Sequence, residues 1–234
     1  MSTATSTPTS ETPKPGTPKK APKKSFFTPG RLIAAGVILV VLILMFFSTK
    51  ILTGKEATEA APGTFSPQSY AQEKFDSEIA PDIVKRATEL AVVQKAIAAD
   101  PAAAAKKYGV VSGSSPAVYS VKFTGTAGKP EANGQLPVTV PGMPADIKVL
   151  VQTGPAINGT AVRDATGKVQ FSQFKNQIDY QNVGAELNKQ VKDKVLANVD
   201  PASLAGKKVA AVGAFSLINP SAYIITPVQI GEAK

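Results

Sequence analysis

Residues 117–128 read AVYSVKFTGTAG, and their alternation of apolar and polar side chains predicts a β-strand. Tyr119, Val121 and Phe123 share one face of this strand, and Lys122 lies on the opposite face. Aromatic and β-branched residues on one face are typical of a strand that packs against a core. The stretch therefore predicts the first strand of the folded domain.

The rest of the domain continues this strand pattern around one helix. Apolar residues spaced by four, from Val183 to Val199, predict a helix over residues 179–199. Four further strands are predicted, at Gln135–Val140, Ile147–Thr153, Lys208–Leu217 and Tyr223–Ile230. Three strands, a helix and two strands is the element order of an OB-fold, a five-stranded partly open barrel. We therefore predict an α+β fold with an OB-like barrel over residues 117–231 and one inserted helix.

A helical segment over residues 67–108 precedes the barrel. Its apolar stripe at helical spacing includes Ile79, Ile83, Leu90 and Ile97. This spacing predicts helices that present one apolar face to the rest of the domain.

Prolines and a glycine divide this segment. Pro81 predicts a break, because an interior proline removes a hydrogen bond and clashes with the preceding turn. We expect a first helix near residues 67–79 and a second near 81–99. The Asp-Pro pair at 100–101 predicts the start of a third, short helix, which Gly109 would end.

An uncharged apolar run, LIAAGVILVVLILMFF, occupies residues 32–47 and predicts a membrane-spanning helix over residues 32–52. Six basic residues precede this run and only two follow it closely, so the positive-inside rule places the N-terminus in the cytoplasm. Cleavage as a signal peptide is the alternative, but the run is too long for one. We expect an uncleaved single-pass anchor, a linker over residues 53–66 and an extracytoplasmic domain over residues 67–234.

Residues 1–31 carry a net charge of +5, more than half of the chain's total of +9. They are rich in Thr, Pro, Ser and Lys and poor in large apolar residues, so they cannot bury enough surface to fold. We predict a disordered cytoplasmic tail. Its lysines either stay solvated or lie against anionic lipid, at about 1 kcal/mol each. The charge therefore indicates the membrane bilayer as a partner.

The chain contains neither Cys nor His. Zinc, copper, haem and iron–sulfur sites therefore lack their usual protein ligands, and nucleophilic triads that use Cys or His are excluded. The stretches GTAGK (125–129) and AGKK (205–208) lack the spacing of a phosphate-binding loop. Nothing in the sequence identifies two carboxylates as the facing pair that a glycosidase requires. We expect no enzyme activity, no cofactor and no metal.

OB-folds often bind single-stranded nucleic acid through a basic groove and stacking aromatic rings. Here the aromatic residues fall mostly at core-facing positions of the pattern. The predicted topology also places the domain outside the cytoplasm. We therefore expect no nucleic acid partner.

The polar loop predicted over residues 155–180 is the candidate binding site. Its candidate ligand- or partner-binding residues are Arg163, Asp164, Asn176, Gln177 and Tyr180. Arg163 suits a carboxylate, a phosphate or paired hydroxyls, because its guanidinium presents five donors in a fixed plane. In the alternative interpretation, Arg163 is a strut that forms a structural salt bridge with Asp164 or Asp179.

Two stretches of this region carry a family resemblance: residues 154–164 read GPAINGTAVRD, and residues 171–180 read FSQFKNQIDY. Together with a match over roughly residues 65–231, they resemble the bacterial predicted periplasmic lipoprotein family, domain of unknown function 2291. The resemblance implies an envelope-facing domain, often encoded beside sugar uptake systems of the ATP-binding-cassette type. It implies no established activity. The chain lacks the lipid-bearing Cys, so the transmembrane helix would replace lipid as the anchor.

Two functions fit these observations. The first is a non-enzymatic accessory or binding protein at the outer membrane face, associated with the components of a sugar transporter of the ATP-binding-cassette type. The second is a structural or assembly protein of the cell envelope that acts through protein contacts only.

Overall fold

The computed structural model describes residues 38–39 and 65–233. The predicted tail, all but two residues of the predicted membrane helix and nearly all of the linker lie outside this part of the chain. Among the residues described, no helix is both long and apolar enough to span a membrane.

The N-terminal part of the domain is helical, as the apolar stripe predicts. Helix α1 (Pro67–Lys74) continues through a π-helical turn (Phe75–Ile79) into α2 (Ala80–Arg86). The prediction that Pro81 breaks this helix is wrong. The amide of Ala80 donates to the carbonyl of Phe75 across the wider π turn, and such a bulge accommodates a proline without ending the helix.

The break lies instead after α2, where β1 (Thr88–Glu89) forms a two-residue parallel pair within the sheet. Helices α3 (Leu90–Ala99) and α4 (Pro101–Tyr108) follow, and β2 (Gly109–Val110) ends the segment. The predicted cap of the third helix is confirmed. Asp100 Oδ1 accepts from the amides at positions 102 and 103 at 2.9 and 3.0 Å.

The barrel consists of five strands with one helical insertion. In chain order the elements are β3 (Val118–Ala127), β4 (Gln135–Thr139), β5 (Lys148–Gln152), α5 (Ala161–Asp164), α6 (Gln177–Gln190), β6 (Lys208–Ser216) and β7 (Ala222–Glu232). A 3₁₀ turn (Phe171–Gln173) precedes α6, and a π-helical turn (Val191–Val195) extends it. The predicted strands and the inserted helix are therefore confirmed, with small shifts at their ends.

Strand pairing closes the barrel. Strand β3 is antiparallel to both β4 and β6, β4 is antiparallel to β5, β5 is parallel to β7, and β7 is antiparallel to β6. The path β3-β4-β5-β7-β6 thus returns to β3. The prediction of an α+β, OB-like barrel is confirmed, and the barrel is closed, where the sequence predicted a partly open one.

Two apolar cores stabilise the domain. The barrel interior contains Tyr119, Val121 and Phe123, as the alternation predicts, and α3 packs against it through Leu90. The second core lies between the outer face of the barrel and helices α1, α2 and α6. Val118 is buried on that outer face because these helices cover it. Burying one such aliphatic side chain contributes about 1.5–3 kcal/mol.

The break after α2 directs the chain from one core to the other. Ile79 and Ile83 lie in the second core, whereas Leu90 and Ile97 lie in the core of the barrel. One apolar stripe in the sequence therefore serves two separate cores.

Candidate functional site

Arg163 and Asp164 lie together in α5 and form a two-pronged ion pair. Arg163 Nε donates to Asp164 Oδ1 at 2.6 Å, and Nη2 donates to Oδ2 at 3.0 Å. The arginine is only 8% exposed. A paired guanidinium and carboxylate in this fork geometry are a strong and directional contact.

Tyr180 of α6 ties this ion pair to the longer helix. Its ring centroid lies 3.8 Å from Arg163 Cζ, which is a cation–π contact. Arg163 Nη1 donates to the Tyr180 carbonyl, and the Tyr180 hydroxyl donates to Asp164 Oδ1, each at 3.3 Å. Burial, reinforced by the Asp164 carboxylate, raises the pKa of Tyr180. The hydroxyl therefore remains a donor at neutral pH.

Thr160 completes what we call the Arg163 network: Thr160, Arg163, Asp164 and Tyr180. Thr160 Oγ1 donates to Asp164 Oδ2 at 2.6 Å. Asp164 then accepts four hydrogen bonds, which is about the capacity of a carboxylate. A cavity of about 280 Å³ is lined by Asp164, Phe171 and Tyr180, but this carboxylate is already fully bonded. The geometry is that of the strut interpretation, with Asp164 as the partner.

The two remaining predicted site residues lie at the start of α6. Asn176 is the N-cap of the helix: its Oδ1 accepts from the Asp179 amide at 2.8 Å, and its Nδ2 donates to Asp179 Oδ2 at 3.0 Å. Gln177 is the first residue of α6, and its side chain is exposed. The structure thus brings Arg163, Asp164 and Tyr180 together but not these two amides. The segment predicted as a loop also contains α5 and the start of α6.

A second and larger depression lies on the outer face of the barrel. We call it the barrel groove; it is formed by β5, β7, the β6–β7 loop and residues 158–161. Its volume is about 410 Å³, within the range of small-molecule sites. OB-folds bind their ligands on the face of their second and third strands and beside the loop between the fourth and fifth. The corresponding elements here are β4, β5 and the β6–β7 loop, and the groove includes Gln135 of β4, Gln152 of β5 and this loop.

The lining of the barrel groove is neutral throughout. It combines amide side chains such as Gln135 and Asn219, hydroxyls such as Thr226, and aliphatic groups. Ile218 is 78% exposed and Ile224 is 40% exposed, although large aliphatic side chains are usually buried. The groove therefore offers hydrogen-bonding groups and apolar surface, but no charge.

The floor of the groove is fixed by Gln152, which is 5% exposed. Its Nε2 donates to the Asn158 carbonyl at 2.9 Å and to Thr226 Oγ1 at 2.7 Å, and its Oε1 accepts from the Asn158 amide at 2.8 Å. A buried amide side chain bonded in this way holds its neighbours in one arrangement.

Sequence reasoning missed this region because the residues that form it are far apart in the chain. Gln152 and Thr226 are separated by 74 positions, and neither is unusual in a predicted strand. One signal was available. Ile218 directly precedes Asn219-Pro220-Ser221, turn-forming residues between the last two predicted strands, and a large aliphatic residue at a turn is exposed unless something covers it.

A closed five-stranded barrel with this strand order defines the class of OB-fold domains. The chain belongs to the predicted periplasmic lipoprotein family (DUF2291), whose profile matches residues 39–231. The family resemblance seen in the sequence is confirmed. This description agrees with the extracytoplasmic placement predicted for the domain.

A solved structure supports the fold. The chain is similar to an OB-fold protein from Thermotoga maritima whose crystal structure was determined at 1.90 Å resolution. The TM-score is 0.57 at 21% sequence identity, over 73% of this chain and 99% of that one. This likeness shows the fold alone. No curated protein matches the chain.

Proposed function

We propose that this protein is a non-enzymatic, extracytoplasmic binding or accessory protein that holds an uncharged ligand in the barrel groove. One observation carries the proposal: a neutral groove of about 410 Å³ lies on the barrel face and beside the loop that OB-folds use for ligands. The groove lining contains no titratable side chain, so it supplies no general acid or base. Binding is therefore the chemistry that it supports.

The composition of the groove favours a small polar ligand such as a neutral sugar. Amides and hydroxyls can both donate and accept hydrogen bonds, which matches the hydroxyl groups of a sugar. Ile218 and Ile224 add apolar surface for the face of a ring. An anionic ligand would find no positive charge in the lining, and its desolvation would be uncompensated.

The proposed setting is the outer face of the cell membrane, with residues 32–52 as an uncleaved anchor. The apolar run and the flanking charges support this placement. A full-length protein that stays with membranes through salt and carbonate washes is the expected result. A mature N-terminus between residues 47 and 65 would instead show cleavage. The proposed partner, a sugar transporter of the ATP-binding-cassette type, rests on the family resemblance.

Calorimetry on the full-length protein tests the ligand class. The probes are ribose, glucose, maltose and the pair galactose and galacturonate, which differ by one carboxylate. We expect saturable binding of at least one neutral sugar and none of galacturonate. Ile224→Ser should remove that binding, while Ile178→Ser, the same change at an exposed site outside the groove, should leave it intact. Equal losses in both variants would exclude the groove, and no binding of any neutral sugar would exclude this ligand class.

A second candidate function is assembly of the cell envelope through protein contacts. The 78% exposure of Ile218 favours it, because exposed aliphatic side chains also serve as anchors for partner proteins. A photo-crosslinker at position 218 would then capture one defined protein in cells, while the same crosslinker at position 178 would not. Saturable sugar binding in the groove would argue against this candidate.

A further inference from the structure

One wall of the barrel groove is a loop whose backbone is bonded by side chains. Residues 157–160 lie between β5 and α5, and four of their carbonyl and amide groups are satisfied by side chains from elsewhere in the domain. Gln152 bonds both the amide and the carbonyl of Asn158. Loops positioned in this way have a defined conformation before any ligand arrives, which lowers the cost of binding.

Helix α6 supplies the next attachment. Asn188 is 7% exposed, and its Nδ2 donates to the Gly159 carbonyl at 2.8 Å and to the Ile157 carbonyl at 3.3 Å. Asn188 does not line the groove. Its hydrogen bonds therefore hold residues 157–159 from outside the groove.

The Arg163 network supplies the third attachment. Thr160 lies in the wall, and its hydroxyl donates to Asp164. Asp164 is held by Arg163, and Arg163 is held by the ring and carbonyl of Tyr180 in α6. A chain of contacts thus runs from the groove wall to the same helix that carries Asn188.

We propose that Asn188 and the ion pair Arg163–Asp164 are positioning residues for the barrel groove. They touch no ligand; they hold the wall at residues 158–160 against α6 so that the groove keeps its shape. This inference rests on the proposed function, because it assigns the Arg163 network to the binding site as its support. Arg163 and Asp164, predicted from the sequence as binding residues, then support the residues that contact the ligand without contacting it themselves.

The test removes one bond and leaves the volume nearly unchanged. Thr160→Val loses the hydroxyl that donates to Asp164, and Thr160→Ser keeps it. Thr166→Val is the matched control: Thr166 is 3% exposed, and its Oγ1 accepts from the Lys168 amide at 3.2 Å. Thr166 lies in the same segment but does not line the groove.

Two readouts on the full-length protein decide the result. Amide hydrogen exchange at Asn158, whose N–H bonds Gln152, should become about tenfold faster in Thr160→Val, which is the effect of losing one typical hydrogen bond. The affinity for the neutral sugar that binds the wild type should fall by a similar factor. Thr166→Val should match the wild type in both readouts, Thr160→Ser should keep the wild-type exchange at Asn158, and Asn188→Ala should reproduce the effect of Thr160→Val.

The failures of the two proposals differ. If exchange at Asn158 is unchanged in Thr160→Val, or rises equally in Thr166→Val, the positioning role is overturned, whether or not galactose binds. If the wild type binds none of the neutral sugars, the proposed ligand class fails. Faster exchange at Asn158 in Thr160→Val and in Asn188→Ala would still support the positioning of the wall.

Discussion

The Arg163 network and the barrel groove are neighbouring polar regions with opposite properties. The network contains an ion pair, a cation–π contact and a carboxylate that accepts four hydrogen bonds. The groove contains no charge, and it leaves Ile218 and Ile224 exposed. The charged residues of the network, Arg163 and Asp164, have thus used most of their bonding capacity within the network. The neutral residues of the groove still expose surface that a ligand can contact.

The two regions share one segment of chain. Residues 158–161 form a wall of the groove, and Arg163 and Asp164 follow within a single turn of helix. The comparison therefore predicts that mutations in the two regions affect different properties, stability in one and ligand binding in the other. Changes in the network should alter the stability of the fold first, and changes in the groove should alter binding alone.

The largest stability effect is expected for Arg163→Ala. It leaves Asp164 largely buried without its partner, and breaking such a pair costs about 3 kcal/mol. Urea denaturation should show the midpoint falling with an unchanged slope. Arg163→Lys should recover only part of the loss, because lysine cannot form the two-pronged contact. If Arg163→Ala keeps the wild-type urea midpoint but loses sugar binding, Arg163 contacts the ligand. The roles assigned to the network and to the groove would then be reversed.

A smaller effect is expected for Asn176→Ala. The change removes the N-cap of α6, which costs about 1 kcal/mol. Because Asn176 contacts neither the groove nor its wall, calorimetry should show unchanged sugar affinity at a temperature where both proteins are folded. A loss of affinity larger than the loss of stability would place Asn176 in the binding site.

Tyr180 should make the network sensitive to alkaline pH. Its pKa is raised, first by burial and then by the Asp164 carboxylate, so the folded state favours the protonated hydroxyl. This contribution to stability is complete below about pH 10 and is lost as the pH rises through the raised pKa of the folded state. In Tyr180→Phe, the decline in unfolding free energy above pH 10 should be shallower than in the wild type. Parallel declines would contradict the raised pKa of Tyr180 in the folded state.

The smallest stability effect is expected in the groove. Ile218→Ser should change the free energy of unfolding by less than about 0.5 kcal/mol, because the side chain is 78% exposed. It should still abolish sugar binding.

In the wild type, sugar affinity should stay constant from pH 5 to pH 8, since no titratable group lines the groove. A pH-dependent affinity over this range would contradict binding in the neutral groove.

Much of the fold follows from local pattern. The alternation in residues 117–128 predicts strand β3, and apolar spacing predicts α6, because both elements bury one regular face. The expectation at Pro81 failed because a π-helical turn absorbs the proline, and such turns have no simple sequence signature. Closure of the barrel also depends on pairing between strands far apart in the chain.

The candidate site was predictable only where its residues are close in sequence. Arg163, Asp164 and Tyr180 do come together, since α5 and the start of α6 pack side by side. The groove has no such local signal. It exists because β5 and β7 pair in parallel and bring Gln152 next to Thr226.

The most direct test of the comparison uses the isoleucine methyl groups as reporters. Ile218 and Ile224 line the barrel groove, and Ile178, 67% exposed, lies near the start of α6 outside it. The full-length protein, labelled at isoleucine δ1 methyls in nanodiscs, is titrated with the neutral sugars and followed by NMR. The proposal predicts saturable shifts at Ile218 and Ile224 with Ile178 unmoved. Shifts at Ile178 with the two groove reporters unmoved would contradict it and place the ligand beside the Arg163 network.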